Sequence, residues 1–125
     1  MDDKALSSPK KKMPFSMGVE TDRYVYVSGQ GGLDLGTGEI VGPDLEAQTV
    51  KTMENIREVL ASFKLDLSDI VKVNVYLSDR SLYGEFNEIY ARFFQEPYPA
   101  RTLVYCELNY DLLVEIDAIA AVRNG

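Results

Sequence analysis

The sequence predicts an α+β sandwich, a mixed sheet carrying two helices on one of its faces. Three features predict it: two apolar stripes at helical spacing, segments that alternate apolar and polar, and a last strand apolar on both sides. At 125 residues the chain can enclose one substantial core and not two. Residues 1–12 read as a disordered polar tail, and 13–125 as a single domain.

Tyr24 to Ser28 is rich in β-formers and reads as a strand. Gly29, Gly31, Gly32, Gly36 and Gly38 follow, so the run to Gly42 reads as a turn or hairpin excursion. A phosphate loop is disfavoured there. Asp34 stands where the third glycine of G-x-G-x-x-G would fall, and no Walker lysine follows. From Asp44, a plausible N-cap behind Pro43, the period changes. Val50, Met53, Ile56, Leu60 and Phe63 recur every three or four residues, predicting a helix over 44–63.

Val71, Val73, Val75 and Leu77 alternate with Lys72, Asn74 and Tyr76, the mark of a half-buried strand. A second helix is expected from Ser81 to Gln95, with Phe86, Ile89, Tyr90 and Phe93 on one face and Pro97 and Pro99 ending it. Strands near 101–108 and 112–122 close the chain. In the last one, Val114, Ile116, Ala118 and Ala120 fall on one side, and Glu115, Asp117, Ile119 and Ala121 on the other. Two helices cannot cover both faces of the sheet, so self-association is expected.

Composition narrows the function. Hydrophobic residues make up 46% and charged residues 26%, ordinary for a soluble globular protein. No apolar run approaches the roughly 18 residues that span a bilayer, and the N-terminus lacks the apolar centre of a secretory signal. A cytoplasmic location without membrane association is the default expectation. The net charge of −7 argues against generic nucleic-acid binding, and Lys10-Lys11-Lys12 reads as a solvated lead-in. One cysteine, Cys106, cannot form an internal disulfide, and it reads as a small core residue. With no histidine, imidazole metal sites and Ser-His-Asp or Cys-His catalysis are excluded. Carboxylates alone could still hold a cation. No dense Asp/Glu loop of the calcium type occurs, so no metal is assigned.

Arg101 and Glu115 carry most of what chemistry remains. Arg101 follows Pro99-Ala100 at a strand start, where its planar fork could take a substrate carboxylate or an ordinary ion-pair partner. Glu115 interrupts a strand otherwise built of Leu, Val, Ile and Ala. Desolvation there would raise its pKa and suit it to proton transfer, although an interface salt bridge would leave the same pattern. Asp117, two residues on along the same face, would raise it further as a close neighbour, or could equally face solvent. Ser28 and the exposed backbone of Gly29 could contact a small ligand, and Asn87 is a polar position on the second helix.

The segments PFSMGV (14–19), YVYVSGQ (24–30), LDLGTGEIVG (33–42), FNEIYARFF (86–94), PARTLV (99–104) and VEIDAIA (114–120) occur in this order. Together they resemble the Rid, or YjgF-type, reactive intermediate enamine/imine deaminase family, over residues 13–122. The resemblance implies a chorismate-mutase-like fold assembled as a homotrimer with active sites in the clefts between subunits. It implies that Arg101 binds the substrate carboxylate and that Glu115 positions or activates the attacking water. Ser28 and Gly29 would line the pocket, with Asn87 nearby. The implied reaction is that of a 2-iminobutanoate/2-iminopropanoate deaminase. It hydrolyses 2-imino acids, derived from 2-aminoacrylate or 2-aminocrotonate, to 2-oxo acids and ammonium without a cofactor. Two substrate-binding positions depart from the family pattern: Phe15 replaces the usual tyrosine, and Leu103 replaces a common cysteine. The alternative expectation is a non-catalytic trimeric binder or sensor of small carboxylates such as 2-oxo acids. Nuclease or translation-inhibitor activity is a weaker rival.

Overall fold

A computed structural model describes residues 4–7 and 13–123. The strands are β1 (Ala5–Ser7), β2 (Ser16–Glu20), β3 (Tyr24–Gly31), β4 (Ile70–Leu77), β5 (Ala100–Tyr105) and β6 (Val114–Ala121). The helices are α1 (Leu45–Ala61) and α2 (Tyr83–Ala91). The six strands form one mixed sheet in the order β1-β2-β3-β6-β4-β5. Only β4 and β5 run parallel, with α2 in the connection between them. The α+β expectation holds, with one strand pair more than the sequence indicated.

The core lies between the sheet and the two helices. Val25, Val27, Val73, Val75, Leu77, Val114, Ile116, Ala118 and Ala120 point at Met53, Ile56, Val59 and Leu60 of α1 and at Phe86 and Ile89 of α2. In β6 the alternation is as expected, every second residue being buried and those between half-buried. On the face away from the helices, Val19, Tyr24 and Tyr26 are exposed.

Several boundaries differ from the sequence expectation. Within the segment expected to be a disordered tail, Ala5–Ser7 form a strand paired with β2, while residues 1–3 and 8–12 lie outside the described residues. In β4 an irregularity between Ile70 and Lys72 gives Ile70 the core position and leaves Val71 exposed. The second helix spans 83–91 rather than 81–95. Arg80–Leu82 form a 3-10 turn, and the N–H groups of Arg92, Phe93 and Phe94 reach back three residues, tightening the exit before Pro97. Strand β5 ends at Tyr105, and Cys106, expected in the core, is exposed.

The glycine-rich excursion is a hairpin. Leu33 bridges Ile40, and the Asp34 carboxylate accepts hydrogen bonds from the N–H groups of Gly36 (2.8 Å) and Thr37 (3.0 Å). Gly38 takes a φ of 79°, which favours glycine. A Cβ on Gly32 would lie 2.7 Å from the Gln48 Cα, so the hairpin's close approach to α1 requires glycine there. Asp44 caps α1 by accepting from the Ala47 N–H at 3.0 Å. Among the described residues, no helix is long and apolar enough to cross a membrane.

Candidate functional site

Arg101 opens β5 beside Ala100, opposite Val73 of β4 in the parallel register, so it shares the helix-covered face. Its guanidinium lies over α2, with Cζ 5.0 Å from the Tyr90 ring centre and 5.8 Å from that of Phe86. Arg101 lines a depression of about 250 Å³ together with Asn87, Tyr90, Ala91, Tyr98 and Pro99. Leu103 follows on the same face of β5 and packs against the core. Arg101 and Asn87 therefore line one depression, and Leu103 shares only the strand face of Arg101. Burial pushes the Tyr90 hydroxyl up to about 12, against the pull of the Arg101 charge.

Glu115 belongs to a second group, on the opposite face of the sheet. It pairs with Gly31 of β3 and with Tyr76 of β4. The strand β3 bulges at Ser28-Gly29, two residues standing opposite Asp117 alone. A Cβ built on Gly29 would overlap Glu115 Oε2, so the missing side chain makes room for the carboxyl group. The Ser28 hydroxyl donates to the Ser16 carbonyl at 2.6 Å, tying the bulge to the chain just after Phe15. Phe15 itself is 52% exposed. Ser28, Gly29 and Glu115 are thus brought together, and Phe15 precedes Ser16, whose carbonyl holds the Ser28 hydroxyl.

The environment of Glu115 is acidic and partly dry. Burial, then the neighbouring Asp117 charge, hold its carboxyl above the usual range. Asp117 is fixed by two donors from β4, Asn74 Nδ2 at 2.8 Å and the Tyr76 hydroxyl at 2.9 Å. The bond to Asp117, burial and the acidic charges raise the Tyr76 hydroxyl as well. Among the described residues no cluster of three or more metal-ligating side chains occurs.

Two supporting sets escaped the sequence reading. Asn74 and Tyr76 were visible only as the polar half of an alternating strand, since their partner lies more than 40 residues on. The buried side of α1 is partly polar. Gln48 Nε2 donates to the Gly42 carbonyl (2.9 Å) and its Oε1 accepts from the Leu113 N–H (2.8 Å). Asn55 Nδ2 donates to the carbonyls of Gly31 (3.1 Å) and Leu33 (2.8 Å). These bonds hold the ends of β3 and β6 on which the Glu115 group stands. The signal was a stripe of polar residues, Gln48, Thr52 and Asn55, at helical spacing beside the apolar one.

The family model described as endoribonuclease L-PSP matches residues 5–122. A RutC family protein of Pyrococcus horikoshii is 39% identical over 91% of this chain and 91% of its own length. A mouse protein named 2-iminobutanoate/2-iminopropanoate deaminase is 37% identical over 86% of this chain and 80% of its own. The crystal structure of RidA from the Antarctic bacterium Psychrobacter sp. PAMC 21119 superposes with a TM-score of 0.85 at 36% identity, covering 96% of this chain and 95% of that one.

Proposed function

Because the chain belongs to the endoribonuclease L-PSP family, the family of RutC, YjgF and Rid proteins, we propose that it is an imine deaminase. Its substrates are 2-imino acids and its products 2-oxo acids and ammonium. The observation that carries the reading is that the chain holds both a sheltered carboxyl at Glu115, raised above its ordinary range by burial and Asp117, and an arginine whose fork meets no protein carboxylate among the described residues. The mouse relative's name points the same way.

The proposed mechanism follows from those two groups. Arg101 takes the substrate carboxylate on its fork. Glu115 accepts a proton from a water molecule as the oxygen attacks the carbon of the substrate's N-protonated imine, giving a neutral carbinolamine. The same carboxyl returns that proton to the amine nitrogen, the C–N bond breaks, and the hydroxyl proton passes to the departing ammonia, so that a 2-oxo acid and ammonium leave and Glu115 is again ionised. Ser28, Gly29, Phe15, Asn87 and Leu103 shape the pocket. Since Arg101 and Glu115 stand on opposite faces of one sheet, the reading requires the two groups to come from different copies of the chain. A homotrimer with clefts between subunits meets that requirement. A ribonuclease reading has less support, because the chain carries a net charge of −7 and no histidine for acid-base work on a phosphodiester.

The test is release of ammonia and pyruvate from 2-aminoacrylate generated in situ by a serine or cysteine lyase. The chain accelerates release; Arg101→Ala loses both the acceleration and pyruvate binding. Glu115→Gln loses the acceleration and still binds pyruvate. No acceleration by a folded wild type that binds pyruvate would replace this reading with a carboxylate-binding protein.

A further inference from the structure

A protein carboxylate that held a ligand-binding arginine would take two of its five N–H donors and offset part of its charge. The Arg101 side chain has no hydrogen-bond or ion-pair partner among the described residues; its charged end lies over two ring faces of α2. Phe86 and Tyr90 stand one helical turn apart and belong to a continuous aromatic column. The Phe86 and Tyr90 centres lie 5.4 Å apart, and those of Tyr90 and Phe94 4.8 Å apart. Phe86 is 0% exposed and Tyr90 5%, so both rings are held by the core.

We propose that Phe86 and Tyr90 are positioning residues, an aromatic shelf that holds the Arg101 guanidinium in place of an acidic partner and leaves its N–H fork free for a ligand carboxylate. The proposal rests on the reading of Arg101 as the carboxylate binder. A ring face attracts a cation through its quadrupole without consuming in-plane N–H donors, whereas a carboxylate consumes two of them. The Tyr90 hydroxyl is buried without a hydrogen-bond partner, so the ring rather than the oxygen carries the role.

The experiment uses the full-length protein and two readouts. The first is the NMR signal of the Arg101 side-chain Nε–H in the free protein, assigned by its disappearance in Arg101→Lys. The second is the affinity for pyruvate. In the wild type, the aromatic faces shift the Nε–H signal upfield. Tyr90→Leu reduces the shift and weakens pyruvate binding about fivefold or more, while Tyr90→Phe keeps both. A folded Tyr90→Leu protein that keeps either the shift or the affinity overturns the proposal, as does a Tyr90→Phe protein that loses both. Should Tyr90→Leu fail to fold, Phe86→Leu and Tyr90→Met carry the same comparison. A wild type that binds no pyruvate refutes the carboxylate reading of Arg101, while the shift in the free protein still decides whether the rings hold the guanidinium.

Discussion

Glu115 is held above the ordinary carboxylate range by burial and by Asp117, which Asn74 and Tyr76 pin in place beside it. If Glu115 is the base proposed above, its function is lost early on acidification. The expected pH–rate profile therefore falls on its acid side at a pH above the usual carboxylate range, and Asp117→Asn, which removes the like charge, moves that limb to lower pH. The same shift has a sign for stability. A folded pKa above the unfolded one means the group's contribution is complete below the unfolded value and is lost as pH rises through the folded value. Glu115→Gln is thus expected to melt higher than the wild type at neutral pH, with the difference closing under acid conditions. Arg101 and Glu115 were legible in the sequence because each is a charged residue in an apolar setting. What surrounds them was not, since Tyr76 and Asn74 meet Asp117 only once two strands distant in the chain are paired.

At the scale of elements, α1 was the most legible, because its apolar stripe and its Asp44 cap are both local signals. Its exit was less so. Lys64 ends the helix in the left-handed region, at a φ of 63°, with Lys64 N–H on the Ala61 carbonyl (3.0 Å) and Leu65 N–H on the Leu60 carbonyl (2.9 Å). That pair of bonds normally employs glycine. Lys64→Gly is expected to gain about 0.5–1 kcal/mol, read as a higher denaturant midpoint with unchanged slope. The strands β1 and β2 were missed for a physical reason: each is short and contains Ser or Gly, and their pairing is non-local. The second helix was read too long because Phe93 continues its apolar face, although the backbone has already tightened into three-residue hydrogen bonds.

For the molecule as a whole, the decisive relation is that Arg101 lies on the helix side of the sheet and Glu115 on the other. The two-faced last strand gave a hint of association, but the division of the candidate site between the faces appeared only with the strand registers. If each site draws its arginine and its glutamate from different copies, Arg101→Ala and Glu115→Gln proteins, each inactive, recover activity when denatured and refolded together. Random assortment at equal amounts gives about a quarter of the wild-type rate, while a site complete within one copy gives none. The bulge in β3 adds a separate consequence. Val27 faces Ala118 and Gln30 faces Ile116, so the strand spends one residue more than its partner between these points. Removing Gly29 would restore a plain two-residue rhythm and leave every flanking pair matched. The sheet has no need of this surplus residue. What it provides is the room that the Glu115 carboxyl occupies, so if Glu115 acts as proposed, shortening the chain at Gly29 keeps the architecture and loses the activity.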